Sequence, residues 1–393
     1  MGIKIRKEQA VDETNETQQP KISKYHIEGL QNKATLRDVN NLVGRRVLIR
    51  VDFNVPLKED GTIADDNRIR QSLVTIKYCL ERGAKVVLAS HLGRPNGRDQ
   101  KLSLDIVAMR LRHLLPKNII YFAKDCIGKE TYSQTLALQN GEVLLLENTR
   151  FYEDDERNTQ EFAMALANNA DLFVLDAFGT AHRAHASTVG ITKFLPSVAG
   201  FLLEKELLTL SLITDKPIRP LTIIVGGKKV EDKMPIIKNL INKADNILIG
   251  GKMAQEFPLI QKDGVNIVVA KDSGFDISKE TIDKFTRIIS KSATIFWNGP
   301  MGVFERKQYS NGTKQIGIAV AQVAKKGIPA VIGGGDTGSA LKQLLSKEEL
   351  KHLHISTGGG ASLEFIEDKE LPGIAALPTV KKFNELEKKT KFI

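Results

Sequence analysis

Short apolar strings alternate with amphipathic stretches along most of this chain. In the first half the pattern predicts strands over residues 47–51, 85–90, 118–123, 142–147 and 172–177, with helices over 70–82 and 104–115. Strands that alternate with helices indicate a parallel sheet with helices on both faces. In such sheets ligands bind beyond the carboxyl ends of the strands, so the residues that follow each strand are the first candidates for function.

The same alternation restarts in the second half, with strands predicted over residues 221–227, 246–251, 266–270, 294–299, 329–335 and 353–360. Between the halves, residues 200–213 have the pattern of a long helix with one apolar face, and we expect its charged residues Glu204, Lys205 and Glu206 to point outward. A chain of 393 residues is too long for one ordinary core. We therefore expect an α/β protein of two domains with parallel sheets, joined by this helix.

The predicted division places a first domain at residues 34–199, the connecting helix at 200–215, a second domain at 216–375 and a tail at 376–393. Residues 1–33 are polar, mixed in charge and without a sustained period, which predicts a disordered N-terminal extension.

Charged and polar side chains follow the predicted strands of the first half. They are Asp52, Asn54, His91, Arg94, Arg150 and Arg183, and Arg68 is expected in the loop before the first helix. Arginines converging on one rim would repel one another unless a multiply anionic ligand supplies the missing charge, and guanidinium groups match phosphate and carboxylate oxygens in bidentate fashion. The alternative is that each arginine pairs with a nearby carboxylate of the protein.

In the second half the strands end in glycine instead of arginine. Gly333, Gly334 and Gly335 follow an apolar string and precede a helix expected over residues 339–345. This order suits a phosphate-binding loop, because free amide groups at a helix start attract anions. Asp336, directly after the glycines, could hold a divalent cation that bridges phosphates. The alternative is that the glycines only make a tight turn.

Two lysines give the second half its own cationic group. Lys229 and Lys233 are four residues apart and are expected on one face of a helix beside a glycine loop, where they would stabilise a phosphoryl group during transfer. The alternative is a pair of solvated lysines at the start of a helix, which is an unfavourable place for positive charge. Residues 356–362 supply a second set of amides for phosphate oxygens, and Glu305 could bind ribose hydroxyls.

Composition and charge exclude several other classes of protein. The formal net charge is +10, but the basic residues lie in mixed clusters and no DNA-recognition helix or aromatic RNA-binding surface accompanies them, so we expect no nucleic-acid partner. No apolar run is long enough for a membrane span, and the two cysteines form no disulfide framework, which favours a reducing, cytoplasmic compartment. His182 and His185 have a metal-ligand spacing, but Arg183 lies between them and would oppose a cation.

Seven motifs in order resemble those of one family. The chain contains VLIRVDFNVPL, SHLGRP, LLLENTRF, DAFGTAHRAHAS, WNGPMGVFE, IGGGDT and HISTGGGASLE, which closely resemble phosphoglycerate kinase and span most of residues 35–377. The resemblance implies two Rossmann-like three-layer domains, one for 3-phosphoglycerate at 34–199 and one for nucleotide at 216–375, joined by a long hinge helix. It further implies reversible transfer of a phosphoryl group between 1,3-bisphosphoglycerate and ADP, giving 3-phosphoglycerate and ATP, with Mg²⁺ bound to the nucleotide. We also expect a monomer.

The resemblance also implies the roles of individual residues. The residues that bind 3-phosphoglycerate would be Asp52, Asn54, Arg68, His91, Arg94, Arg150 and Arg183. The residues that act on the migrating phosphoryl group would be Arg68, Lys229, Lys233, Gly358, Gly359 and Gly360. The nucleotide would be held by Gly227, Lys229, Lys233, Gly274, Asn298, Glu305, Gly333, Gly334, Gly335, Asp336 and Thr337, with Asp336 at the magnesium ion and Glu305 at the ribose.

Departures from the family pattern concentrate in the second domain. Lys228 stands where the family usually has a small residue, and Lys252 where it usually has a third glycine. Only 44 residues lie between Lys252 and Trp297, so we expect a nucleotide domain shortened between 252 and 297. This shortening motivates an alternative function, that of a non-catalytic or moonlighting relative with impaired nucleotide binding.

A dinucleotide enzyme is a third hypothesis. Gly333, Gly335 and Gly338 fit the G-x-G-x-x-G fingerprint after a strand. The acid that should end the following strand is replaced by Thr357 and glycines, which disfavours this hypothesis.

Overall fold

The protein folds into two parallel sheets that follow one another along the chain. A computed structural model describes residues 32–390 except 216, 259 and 273. The disorder predicted for residues 1–33 therefore lies outside the described residues, apart from Asn32 and Lys33. None of the helices in the described part is long and apolar enough to cross a membrane.

The first sheet has six strands, all parallel, in the order β3-β4-β2-β1-β5-β6. These strands are β1 (Arg46–Val51), β2 (Lys85–Ala89), β3 (Ile120–Phe122), β4 (Val143–Leu145), β5 (Leu172–Asp176) and β6 (Ser197–Ala199). The helices of this unit are α1 (Asn67–Glu81), α2 (Asp105–Leu114), α3 (Lys129–Ala137), α4 (Glu153–Arg157) and α5 (Gln160–Ala167). Short 3-10 helices lie at Leu36–Asp38, Gln100–Leu102, Thr149–Phe151, Phe178–Thr180 and Gly190–Lys193.

Helix α6 (Phe201–Thr214) leads from this unit to the second sheet, which also has six parallel strands, in the order β12-β11-β10-β7-β8-β9. These are β7 (Leu221–Val225), β8 (Asn246–Ile249), β9 (Asn266–Val269), β10 (Thr294–Asn298), β11 (Ala330–Gly333) and β12 (His354–Ile355). The helices are α7 (Met234–Leu240), α8 (Met253–Glu256), α9 (Lys279–Ile289), α10 (Asn311–Lys325), α11 (Gly335–Leu344), α12 (Lys347–Leu350), α13 (Gly360–Ile366), α14 (Pro372–Ala375) and α15 (Val380–Thr390), with a 3-10 turn at Lys307–Tyr309. The predicted fold class is confirmed.

Central strands are buried on both faces, as parallel sheets require. On β1, Leu48 packs into one apolar cluster while its neighbours Val47 and Ile49 pack into another on the opposite face. The first cluster continues through α6 into the second unit, so the two sheets share one apolar layer at the connecting helix. This shared layer positions the strand ends of the two sheets relative to each other.

Three local predictions are wrong. Helix α1 begins at Asn67, so Arg68 lies in its first turn and not in the preceding loop. Helix α11 begins at Gly335, four residues before the predicted start, so Asp336 also lies in a first helical turn. Glu206 does not point outward but is fully buried, while Lys205 is exposed as predicted.

The segment that we separated as a tail contains α15, and this helix packs on the first unit. Phe383 is fully buried in the apolar cluster of the first sheet. Glu387 forms a two-pronged ion pair with Arg45, with N–O distances of 2.9 and 3.0 Å. At the start of the described chain, Lys33 Nζ donates to the carbonyl oxygens of Ala375 and Leu377.

Candidate active site between the two sheets

The carboxyl ends of the first sheet carry the arginines that the sequence predicted, and these arginines have different partners. Arg68 Nη1 donates to Asp52 Oδ2, so two predicted substrate residues form an ion pair. Asn54 uses its side chain to hold the next loop, since its Oδ1 accepts a 2.8 Å hydrogen bond from Gly93 N. The loops after β1 and β2 are thereby joined at the rim.

His91 is buried behind this rim, next to a residue that the sequence reasoning missed. Arg50 is fully buried and its Nη2 lies 3.2 Å from His91 Nδ1. Burial, reinforced by Arg50 and then by Arg150, holds the pKa of His91 well below its usual value. His91 is therefore neutral, with Nδ1 accepting from Arg50. A signal for Arg50 was present, because it is the one charged residue inside the apolar string VLIRV.

Arg150 is buried with an incomplete set of partners. Its Nη1 donates to Gly93 O at 2.8 Å and its Nε lies 3.1 Å from Glu156 Oε1. Its Nη2 is buried without a hydrogen-bond partner among the described residues. Burial, opposed by Glu156 and reinforced by Arg183, lowers the pKa of Arg150. A buried guanidinium N–H without an acceptor is costly, so this donor is available to an acceptor from outside the described part of the chain.

The remaining two arginines of the rim lack carboxylate partners within the described part of the chain. Arg183 is half-buried, and its Nε donates to His182 Nε2 at 3.2 Å. Arg94 is exposed. Local carboxylates therefore neutralise only some of the rim, namely Arg68 and Arg150, and the alternative in which every arginine has its own acid is wrong.

In the second unit Lys233 points into the strand ends. Its Nζ donates to Asn298 Oδ1 at 2.6 Å. Burial lowers the pKa of Lys233, while the carboxylates of Asp232 and Asp336 oppose that shift. Lys229 is exposed and lies outside any helix, and Lys233 is the residue before α7. The prediction that the two lysines share one helical face is therefore wrong.

The glycine loop after β11 lies against the same asparagine. Gly334 has φ of +86°, and a Cβ there would lie 2.7 Å from Asn298 Nδ2, so both conformation and space require glycine. Thr337 is buried and its Oγ1 accepts a 2.7 Å hydrogen bond from Gly299 N. Asp336, between them in the first turn of α11, is exposed. Four predicted nucleotide residues thus lie around one helix start.

The second glycine loop is held by the buried carboxylate of α6. Glu206 Oε1 accepts from Thr357 N at 2.7 Å and from its hydroxyl at 2.8 Å, while Oε2 accepts from Ser356 Oγ at 2.9 Å and lies 3.0 Å from His354 Nε2. Burial opposes ionisation, but these hydrogen bonds, above all that of His354, hold the pKa of Glu206 below its usual value. No signal in the apolar face of 200–213 separated Glu206 from its exposed neighbours.

This second loop also contacts the first unit directly. A Cβ on Gly358 would lie 2.4 Å from the ring of Phe178, and one on Gly360 would lie 3.8 Å from His182 Nε2. A Cβ on Gly179 would lie 2.5 Å from Asp52 Oδ2 and 3.4 Å from Thr357 O. The loops after β5 and β12 therefore meet, which brings Gly358, Gly359 and Gly360 to the rim of the first sheet.

A cavity of ≈ 270 Å³ opens where the two rims face each other. The first unit lines it with Asn67 and Arg68, and the second with the glycine loops, including Gly335, Thr357 and Gly359. An ion pair of 2.7 Å between Lys342 Nζ and Asp65 Oδ2 crosses the entrance. The structure thus places Arg68 opposite both glycine loops.

Other predicted residues lie away from this cavity. His91, Arg94, Arg150 and Arg183 remain on the first rim, whereas Gly274 is exposed in the loop after the edge strand β9 and Glu305 is exposed in the loop after the central strand β10. No cluster of three or more histidine, cysteine or acidic residues suited to a metal ion occurs among the described residues.

A basic rim that faces two glycine loops across a cleft, with a lysine and a carboxylate beside those loops, defines a two-domain phosphotransferase. Comparison with known proteins gives the family. The family model described as phosphoglycerate kinase matches residues 36–270 and 260–369, and the two matches meet inside the stretch where a shortening was predicted.

Related proteins and structures agree with this match. The phosphoglycerate kinase of Dictyoglomus turgidum is 45% identical over an alignment of 397 positions, which covers 88% of this chain and 99% of that protein. That of a Nostoc species is 44% identical, with 86% and 96% covered. The solved phosphoglycerate kinase structures from Coxiella burnetii and Pyrococcus horikoshii both superpose with a TM-score of 0.74, at 32% and 30% identity, and cover 89% and 90% of this chain and 99% of theirs. The chain belongs to the phosphoglycerate kinase family, whose members are phosphotransferases with a carboxyl group as acceptor.

Proposed function

We propose that this chain catalyses the reversible transfer of a phosphoryl group between 1,3-bisphosphoglycerate and ADP, giving 3-phosphoglycerate and ATP. The observation that carries the proposal is the position of Arg68 opposite the two glycine loops in one cleft. Family membership supports the reaction, and no finding favours the non-catalytic alternative. Lys233 and Asp336 also support catalysis, because both lie near the glycine loop after β11 and act on each other electrostatically.

The first rim would bind 3-phosphoglycerate. Arg150, with its buried and unpartnered Nη2, and Arg183 and Arg94, which have no carboxylate partner in the described part, offer donors to the phosphate and carboxylate of the substrate. Asp52 and Asn54 would orient Arg68 and the loop after β2. Neutral His91 would donate from Nε2, because Nδ1 is occupied by Arg50.

The cleft would stabilise the migrating phosphoryl group. Arg68 lines the cleft from the first unit and Gly359 lines it from the loop of residues 358–360, while Lys229 and Lys233 of the second unit would supply further positive charge. An acyl phosphate has a good leaving group, so positioning and charge neutralisation suffice without a general acid. Glu206 would act as a positioning residue, since it holds Thr357 at the start of this loop.

The nucleotide would carry a magnesium ion. Mg²⁺ keeps several waters and binds through one or two carboxylates together with substrate phosphates. Asp336 fits that requirement, because its carboxylate is exposed at the glycine loop. When bound, the ion would neutralise phosphate charge.

A coupled assay with 3-phosphoglycerate and MgATP tests the proposal, with thermal shifts measured for each substrate alone. Turnover together with a shift for each substrate is expected. Absence of turnover, with a shift for 3-phosphoglycerate and none for nucleotide, would instead support the non-catalytic relative. We also propose a cytoplasmic location, since both cysteines are free and buried. A monomeric state stays a prediction.

A further inference from the structure

The rim of the second sheet extends well beyond the phosphate-binding loops. From the cleft outward the strand order is β12, β11, β10, β7, β8 and β9. The phosphate loops follow β12 and β11, so the loops after β7, β8 and β9 lie progressively farther from the cleft. From β11 to β8 there are three strand spacings, about 14 Å. A nucleotide whose phosphates lie at β11 and β10 would place its base over these outer loops.

The outer loops are packed backbone to backbone. A Cβ on Gly251 would lie 2.6 Å from Gly227 N, and one on Gly299 would lie 2.0 Å from Gly226 O. Met253 N donates to Gly227 O at 3.1 Å. The residues that follow these contacts are therefore held next to one another at the surface.

Both of those residues are lysines. Lys228 follows Gly227, Lys252 follows Gly251, and both side chains are exposed. Each therefore presents a positive charge at this rim. These two lysines differ from Lys233, whose ammonium group donates to Asn298 at the end of β10, nearer the cleft.

An aromatic pair with one exposed member lies at the same edge. Phe275, after β9, is 57% exposed, and its ring stacks on Tyr309 with centroids 4.9 Å apart and planes at 29°. The loop is fixed, since Val303 N donates to Phe275 O and Gly312 N donates to Asp276 Oδ2, each at 2.8 Å. A Cβ on Gly302 would lie 2.3 Å from Asp276 Oδ1. Phe275 thus offers a rigid ring surface to solvent.

We propose that this outer rim binds the nucleotide base and selects a 6-oxopurine, guanine or hypoxanthine, over adenine. The proposal rests on the proposed function, because it takes the phosphate loops as the site of the nucleotide's phosphates. The ring of Phe275 stacks on the base, and the ammonium groups of Lys228 and Lys252 donate to its edge.

The chemistry of the donors gives the selectivity. A lysine ammonium has three donors and no acceptor. Guanine and hypoxanthine present two acceptors, O6 and N7, on one edge, whereas adenine presents N7 beside the donor amino group at C6. Two lysines therefore match a 6-oxopurine and oppose the amino group of adenine.

The test compares kcat/KM for MgATP, MgGTP and MgITP at saturating 3-phosphoglycerate. GTP and ITP should exceed ATP by about tenfold, within the range for discrimination by paired hydrogen bonds. ITP lacks the 2-amino group of GTP, so equal values for both identify O6 as the recognised atom. The variant with Lys228→Ala and Lys252→Gly should bring the three values within about twofold of one another.

Phe275→Ala should raise KM for all three nucleotides by about fivefold or more while kcat and KM for 3-phosphoglycerate stay unchanged. For the lysine variants the matched control is Lys291→Ala, since this exposed lysine precedes β10 and so lies at the amino ends of the strands, on the side of the sheet opposite the outer rim. Melting temperatures show whether each variant is folded. If the double variant at Lys228 and Lys252 is not folded, the two single lysine variants are measured in its place.

A wild-type preference for ATP, or a preference for GTP that survives loss of both lysines, would overturn the proposal. If the wild type shows no turnover with any nucleotide, the proposed function fails instead. The base inference is then decided by calorimetric affinities for ADP, GDP and IDP. Tighter binding of GDP and IDP supports it, and equal or weaker binding rejects it.

Discussion

At the scale of single residues, the site is recognised by groups that lack partners. Arg150 Nη2 is buried without an acceptor in the described part, and His182 and His185 each keep an unpartnered Nδ1. Such groups are costly in a folded protein, so their presence on one rim agrees with an anion that completes them. Arg50 differs from these groups, because its Nη2 and Nε are hydrogen-bonded to His91 and Ser187.

Arg183→Ala should lower kcat/KM for 3-phosphoglycerate by about one to two orders of magnitude, because a charged hydrogen bond to an anion contributes about 1.5–3 kcal/mol. Steady-state kinetics measures the effect. The melting temperature should not change, since the side chain of Arg183 has only His182 as a hydrogen-bond partner in the described part. Arg157→Ala, an exposed arginine paired with Glu153, is the control. Ordinary kcat/KM in the Arg183 variant would contradict the assignment.

Asp336→Asn should raise the Mg²⁺ concentration needed for half-maximal activity by about tenfold, because the amide removes the negative charge offered to the ion. Titration of activity with Mg²⁺ at fixed nucleotide measures this. Glu348→Gln, an exposed acid on α12, supplies the control. An unchanged magnesium titration would remove Asp336 from the metal role.

At the scale of elements, the connecting helix α6 depends on two buried carboxylates. Asp176, at the end of β5, accepts the amides of Leu202 and Leu203 at 2.8 and 3.3 Å and so caps the helix start. Glu206, one turn further, holds the loop after β12. One helix thus connects the end of β5 in the first sheet with the glycine loop after β12 in the second.

Asp176→Asn should remove a pH dependence of stability. Burial raises the pKa of Asp176 to about 7, opposed by hydrogen bonds. Below pH about 4 both states carry the proton, and between about 4 and 7 only the unfolded chain loses it, so the folded state binds more protons and the free energy of unfolding falls as pH rises. The loss is on the order of a few kcal/mol.

Denaturant unfolding of the wild type and the asparagine variant at pH 5 and pH 8 measures this effect. The variant should keep the cap, because an amide oxygen accepts the same hydrogen bonds, and should be the more stable protein at pH 8. If the free energy of unfolding fell by the same amount from pH 5 to pH 8 in both proteins, Asp176 would be excluded as the origin of the pH dependence.

At the scale of the whole molecule, the chain returns to its first unit. The two-pronged pair of Arg45 and Glu387 and the burial of Phe383 fasten α15 onto the first sheet. The chain therefore crosses between the units at α6 and again before α15, and the cleft lies between two fixed connections. Lys342 and Asp65 add only a partly exposed pair at the entrance, which contributes little to stability.

Phe383→Ala should lower the free energy of unfolding by about 3–5 kcal/mol, because a fully buried ring leaves a cavity. Guanidinium unfolding measures the change. Lys382→Ala, the exposed neighbouring residue on α15, should leave stability within about 0.5 kcal/mol. If both variants unfold like the wild type, α15 is not an integral part of the first unit.

Sequence patterns alone were enough for much of this result. The alternation of apolar strings with helices predicted two parallel sheets, because strands buried on both faces read as continuous apolar runs. The residues after each strand were identified for the same reason, since parallel strands place their carboxyl ends at one edge. Motif order identified the family before any contact was known.

Helix starts and the partners of charged groups were decided only by tertiary structure. Arg68 and Asp336 were placed in loops because glycine and polar residues leave the first helical turn without an apolar signal. In sequence Glu206 looked like its neighbours Glu204 and Lys205, which are half-buried and exposed, because burial of a carboxylate depends on donors that arrive from His354 and Thr357, about 150 residues away. Local composition specifies elements and strand-end chemistry, whereas pairing between distant segments exists only once the chain has folded.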